Sequence, residues 1–187
     1  MRDILLFGIQ WSGKGTQAHL LTEAFPDKFW YFSSGDIFRA IMSSDNAIGN
    51  YLRNRMDSGE LINDEVTNSL FKTYFYTVLH DHKFMLLDGF PRTIPQMKEM
   101  IKLTELHERP LIGVQLVLPD DVAIERIKER WRADDTDEGI KYRIDQFYEK
   151  TQPTIDWFAE NVELIQVDAN RSVEEIAEDL KAIALGA

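Results

Sequence analysis

An apolar run, Ile4-Leu5-Leu6-Phe7, breaks into Gly8-Ile9-Gln10-Trp11-Ser12-Gly13-Lys14-Gly15-Thr16, and a helical pattern begins directly afterwards. Strand, glycine-rich loop and helix in that order constrain this chain more than any other feature, because a phosphate cradle needs that order. Gly8 and Gly13 let the backbone curl until successive N–H groups aim at one anion. The helix start adds partial positive charge, and Lys14 reaches the terminal phosphates. The general signature puts Ser or Thr directly after the lysine, whereas here Gly15 intervenes and the hydroxyl arrives at Thr16. An ordinary strand-to-helix turn that happens to carry glycines is the plainer reading. The joint occurrence of position, spacing and lysine argues against it.

Four further apolar runs, 29–32, 84–87, 114–118 and 162–167, are separated by helical stretches. Strands apolar on both faces belong to a parallel sheet covered by helices, so the expected fold is α/β: a doubly wound, parallel, five-stranded sheet with helices on both faces. The run 162–167 alternates and reads as a more exposed strand. Helices are expected over 16–25, 36–43, 48–58, 63–82, 95–107, 120–130, 137–161 and 173–185. Residues 34–82 read as helical throughout and separate the second strand from the third. A plain crossover needs far fewer residues, so part of this segment should form a small helical subdomain. A short irregular stretch, 131–136, joins two basic helices.

With no Cys in 187 residues there is neither a disulfide framework nor a thiolate metal site, which suits a reducing, cytoplasmic setting. No apolar run approaches the roughly 18 residues of a membrane span, and the first is too brief for a signal-peptide core. The net charge of -11 opposes binding to nucleic acid or an anionic membrane unless cations gather at one site. His19, His80, His82 and His107 show no metal-site pairing and read as surface or capping residues at helical positions. Phe71, Phe75 and Leu79, four apart, read as a core stripe.

The sequence Gly13-Lys14-Gly15-Thr16-Gln17 resembles the P-loop of nucleoside monophosphate kinases, and the rest of the chain continues the likeness in order. Ser33-Ser34-Gly35-Asp36-Ile37-Phe38-Arg39 is similar to that family's Ser-Thr-Gly-Asp-x-x-Arg element, and Gly59-Glu60-Leu61-Ile62-Asn63-Asp64-Glu65 to its Gly-x-Leu-Val-x-Asp-Glu turn. Leu86-Leu87-Asp88-Gly89-Phe90-Pro91-Arg92-Thr93-Ile94-Pro95-Gln96 nearly repeats its acidic-strand signature. Arg126, Arg130, Arg132-Ala133-Asp134-Asp135 and Arg143 match the arginines of the closing lid in adenylate kinases. The likeness spans almost the whole chain. It implies one P-loop kinase domain with a helical NMP-binding insertion at 34–67 and a short lid at 130–137.

The resemblance also implies an activity: reversible, magnesium-dependent, direct in-line transfer in which ATP and AMP give two ADP. It assigns Trp11, Ser12, Gly13, Lys14, Gly15, Thr16, Arg126 and Arg171 to ATP. It assigns Ser34, Arg39, Glu60, Leu61, Ile62, Gly89, Phe90, Pro91, Arg92, Gln96, Arg132 and Arg143 to AMP. Lys14, Arg92, Arg130, Arg132 and Arg143 carry catalysis, and Asp88 holds magnesium through water. A monomer is expected. Zinc is not, since the lid is short and cysteine-free. By chemistry alone, Asp88 at a strand's carboxyl end suits a magnesium site or a plain helix cap. The paired Arg126 and Arg130 suit phosphate or a solvated face shared with Glu125 and Glu129. Seven of the 21 basic residues fall in these motifs, leaving 14 against 32 acids elsewhere.

Two other readings stay open: a UMP/CMP kinase of the same fold, since Ser34 replaces the commoner threonine, and a nucleotide-binding regulatory protein without turnover. Gln10 and Trp11 motivate the latter, because adenylate kinases usually have Pro and Gly there, and Gly139 stands where the family prefers threonine. The indole of Trp11 is expected to point away from the phosphates.

Overall fold

The computed structural model describes residues 1–130 and 137–186, without the side chains of 128–130, 137 and 138. Five parallel strands form one sheet: β1 (Asp3–Phe7), β2 (Phe29–Ser33), β3 (Phe84–Asp88), β4 (Leu111–Val117) and β5 (Leu164–Asp168), in the order β2-β3-β1-β4-β5. All five residues of β1 are buried, as an apolar central strand requires. At the β5 edge only Val167 is buried, in keeping with the alternating pattern. From β1 the chain proceeds to one side of the sheet, and from its neighbour β3 to the other. This pair is the topological switch point, where open α/β sheets form a crevice beyond the strands' carboxyl ends.

The helices are α1 (Lys14–Ala24), α2 (Ser34–Met42), α3 (Ala47–Asp57), α4 (Asp64–Thr77), α5 (Ile94–Leu106), α6 (Asp120–Arg130), α7 (Asp137–Gln146), α8 (Gln152–Asn161) and α9 (Val173–Leu185). Side chains of Ser33, Asn46, Asn63, Thr93 and Ser172 cap α2, α3, α4, α5 and α9 by accepting from backbone N–H groups in the first turn. Two expected helices differ from the reading of the sequence. That over 63–82 stops at Thr77, where Val78 leaves helical geometry with φ -120°. Phe71 and Phe75 still enter the core, and Leu79 packs against it from beyond the helix end. His80 and His82 therefore lie outside the helix, in the turn closed by the bond from Lys83 N–H to the His80 carbonyl.

The helix expected over 137–161 is divided by a π-helical turn, Phe147–Thr151, between α7 and α8. Pro153 lies in the first turn of α8 and has no N–H for the carbonyl four residues back, so a regular α-helix cannot run through.

Phe38, Leu52 and Ile62 form a second small core within α2, α3 and the approach to α4, and Leu70 packs against both this core and the main one. At the opposite end of the sheet from the crevice, buried Asp3 ties three segments together. Its carboxylate accepts from Met85 N–H at 2.7 Å and from Arg109 Nε and Nη2 at 2.7 and 2.8 Å, while Arg109 Nη2 also donates to the Lys83 carbonyl. Burial raises the Asp3 pKa, and the bonds from Arg109 and Met85 oppose that shift. Arg109→Met strands this carboxylate in the interior, and a stability loss of about 3–5 kcal/mol is expected. Chemical denaturation should show Asp3→Asn combined with Arg109→Met recovering much of that loss. Equal stability of the single variant and the parent would contradict the clamp.

Candidate active site

Beyond Phe7 the loop turns so tightly that the backbone at Gly8 excludes a side chain. With φ +139°, an added Cβ would lie 2.5 Å from the Leu116 carbonyl oxygen. Ser12 N–H closes a turn to the Ile9 carbonyl, and Gly13 stands at the N-terminus of α1 with φ +95°. No side chain caps α1 and no carboxylate occupies its first turn, so the positive end of the helix is presented to the crevice. Lys14 folds along the loop, its ammonium donating to the carbonyls of Gly8 at 2.9 Å and Ile9 at 2.8 Å. Trp11 adopts φ +65°, a left-handed conformation that glycine takes freely and a bulky residue does not.

The second motif reaches the same place through β3. Its register sets Asp88 beside Leu6 of β1 and Ser33 of β2, so the carboxylate emerges next to the loop. An added Cβ on Gly15 would lie 3.7 Å from Asp88 Oδ2. Tyr31 donates its hydroxyl to the same oxygen at 3.4 Å. The chain then turns at Gly89, whose φ of +74° and close neighbours Ser34 Oγ and Arg92 leave no room for a side chain. Ser34 Oγ and Arg92 Nε both donate to the Gly89 carbonyl, at 2.6 and 2.9 Å.

These elements enclose a cleft of about 850 Å³. Trp11, Ser12, Gly13, Lys14, Gly15, Thr16 and Asp88 line it from the sheet. Ser34, Arg39, Glu60, Leu61 and Ile62 line it from the insertion, and Gly89, Arg92, Gln96, Arg126, Arg143 and Arg171 complete it. Phe90 does not: its ring is buried in the core, stacked on Phe71 at 4.5 Å. Pro91 borders a small void beneath the loop instead. The side chain of Arg130, and Arg132 with nearly all of the expected lid, fall outside the described residues. Gln96 is committed to structure, donating to Asp64 Oδ1 and accepting from Arg92 N–H, each within 2.9 Å. Arg126 donates to the Ala169 carbonyl at 2.9 Å, and Arg171 is paired with Asp179.

Among the described residues, six cations (Lys14, Arg39, Arg92, Arg126, Arg143, Arg171) meet three carboxylates (Asp36, Glu60, Asp88) in this lining, the reverse of the chain's acidic balance. The crowding shows in the proton affinities. Burial pushes the Lys14 ammonium down to about 8, with Asp88 opposing and Arg92 adding to the shift. Burial likewise lowers the pKa of Arg92, Asp88 opposes, and Arg143 and Arg39 reinforce it. Burial and the neighbouring Asp88 raise the Tyr31 phenol well above its usual range.

Several lining residues were given no role in the site by the sequence. Tyr31 and His19 pack edge to face at 5.4 Å beside Asp88. Gln10, Gln17 and Gln146 each carry a buried amide oxygen with no hydrogen-bond partner among the described residues. Only Gln10 and Gln17 had a local signal, their place in or directly after the loop. Tyr31 and Gln146 depend on strand register and on the return of α7. Among the described residues no group of three or more His, Asp or Glu side chains could hold a metal, and no helix is long and apolar enough to cross a membrane.

Comparison with known proteins agrees with this geometry. A family model described as adenylate kinase matches residues 6–163. The chain is 36% identical to an adenylate kinase of Corynebacterium urealyticum over 178 residues, covering 94% of both chains. It is 35% identical to one of Parasynechococcus marenigrum, covering 98% of this chain and 99% of that one. It is 31% identical to one of Prochlorococcus marinus, covering 96% and 97%. With a phosphate loop, an acidic strand end and converging arginines in one crevice, and relatives matched over nearly their full length, the chain belongs to the adenylate kinase family.

Proposed function

We propose that the protein catalyses reversible phosphoryl transfer from Mg·ATP to AMP, yielding two ADP. The observation that carries this reading is the meeting of Lys14, Asp88, Arg92, Arg39 and Arg143 in one cleft between the loop and the helical insertion. Its volume of about 850 Å³ lies toward the upper end of the roughly 300–1,000 Å³ typical of ligand sites, as two nucleotides require. Trp11 to Thr16 hold the donor's phosphates, chiefly through backbone N–H groups, with Arg126 and Arg171 farther out beside the nucleoside. Ser34, Arg39, Glu60, Leu61, Ile62, Gly89, Phe90, Pro91, Arg92 and Gln96 form the AMP side. In this reading Phe90 and Pro91 shape the loop that carries Gly89 and Arg92, and Gln96 fixes the start of α5.

Transfer needs no covalent intermediate, because an oxygen of the AMP phosphate is itself the nucleophile. The protein supplies alignment, charge neutralisation and exclusion of water. Lys14, Arg92 and Arg143 bear on the transferring group from different elements; the catalytic roles that the resemblance gives Arg130 and Arg132 fall outside the described residues. The donor set also fits magnesium: the Asp88 carboxylate on the cleft wall would hold the ion through water, as suits an ion that keeps several waters, and the Thr16 hydroxyl is a further hard oxygen in the same lining. Bound there, magnesium neutralises charge shared between the donor's phosphate oxygens. The protein works in the cytoplasm as a monomer. The pyrimidine-kinase and regulatory readings gain no support from the three relatives described above, each named as an adenylate kinase.

A coupled ADP-formation assay with Mg·ATP and each of AMP, GMP, CMP and UMP should give AMP the highest kcat/KM, with turnover abolished by excess chelator. Faster reaction with UMP or CMP would make the chain a pyrimidine kinase, and undiminished turnover in chelator would remove the metal role.

The lowered Lys14 pKa gives a second expectation. Below about pH 8 the free enzyme carries the charge that holds phosphate, and above it that charge is lost. kcat/KM for ATP should therefore fall along a limb centred near pH 8. kcat should hold to higher pH, since bound phosphate returns the proton to the amine. Between about 8 and the ordinary 10.5 the unfolded chain binds more protons than the folded one, so this group's contribution to the stability of the unliganded fold rises with pH. A kcat/KM profile that stays flat from pH 7 to pH 9.5, with no limb near 8, would contradict the assignment.

A further inference from the structure

Trp11 stands at a point where the loop's backbone, at φ +65°, calls for no side chain and is suited to glycine. Its indole nevertheless has a defined neighbour. The Arg143 guanidinium carbon lies 6.0 Å from the ring centroid, over its face. Arg143 reaches there from α7, and its stem passes the insertion: an added Cβ on Gly59 would lie 3.2 Å from Arg143 Cγ. Its Nη2 points to the Met56 carbonyl at 3.4 Å. One arginine thus touches the phosphate loop, the insertion and the helix that follows the lid segment.

We propose that Trp11 is a positioning residue for phosphoryl transfer, whose indole face docks the Arg143 guanidinium over the phosphate loop. This rests on the reaction proposed above. Arg143, like Arg39, repels Arg92 across the cleft. A carboxylate would attract Arg143 but would compete with phosphate and bring in opposing charge. An aromatic face attracts the cation through its quadrupole, holds the guanidinium by its plane, and uses none of the in-plane N–H donors that bind phosphate oxygens. The tryptophan therefore aims Arg143 without neutralising it.

Three variants test this. Trp11→Gly should lower kcat about five- to tenfold while KM for ATP and AMP changes less than twofold, and its melting temperature should equal or exceed the parent's because the left-handed position suits glycine. Trp11→Phe, which keeps a ring face, should return kcat to within about twofold of the parent. In an Arg143→Lys background, Trp11→Gly should cost less than twofold, since the planar cation is already gone. An equal loss in both backgrounds, or a Trp11→Phe variant no better than Trp11→Gly, would overturn the proposal. The contact has a readout separate from turnover: the Trp11 emission, taken as parent minus Trp11→Phe, should shift when Arg143 is replaced by Ala. Unchanged emission would overturn the contact. A parent with no turnover at all would overturn the reaction and leave the emission to decide the contact.

Discussion

The parallel pairing of β1 with β3 is the constraint on which the cleft depends. Leu6 sits in register with Asp88, so two segments more than eighty residues apart in sequence end side by side at the same edge. One continues into the phosphate loop and α1, the other into the Gly89 turn and α5. A slip of one residue in this register would reverse the faces of every β3 side chain and move Asp88 away from the loop. The buried Asp3–Arg109 pair at the far end, which also holds Met85 N–H, works against such a slip.

Given that frame, the chemistry follows from charge and burial. In a chain with 32 acids and 21 basic residues, the described residues line the cleft with twice as many cations as carboxylates. Burying cations side by side is unfavourable in a protein without a ligand: burial lowers the pKa of Lys14 and of Arg92, and neighbouring cations add to it. The same arrangement favours polyphosphate, whose charge relieves the repulsion and whose oxygens match the donors. Like-charge crowding is concentrated here, while the sheet behind is apolar and closely packed.

Much of this was legible in the sequence because the motifs are local. The loop, the Gly89 turn and the start of α5 each use consecutive residues whose types report the backbone they need, and the apolar runs marked all five strands. What escaped depended on contacts between distant segments. Phe90 belongs to the acidic-strand motif, yet its ring serves the core against Phe71. Tyr31 read as one more strand residue, and only the β2–β3 register brings it to Asp88. The interruption at Phe147–Thr151 has its sequence signal in Pro153, which lies in the first turn of α8. Trp11 looked like a departure to be tolerated, with its indole expected to turn away from phosphate; its partner Arg143 lies 132 positions further along the chain.

The claim that this single cleft receives two nucleotides end to end is tested most directly by calorimetric titration with a ligand joining two adenosines through a phosphate chain. One ligand per chain is expected, bound more tightly than ATP or AMP alone and excluding both, with the gain from magnesium lost in Asp88→Asn. Two ligands per chain, or binding no tighter than that of ATP alone, would contradict a shared cleft built on the β1–β3 edge.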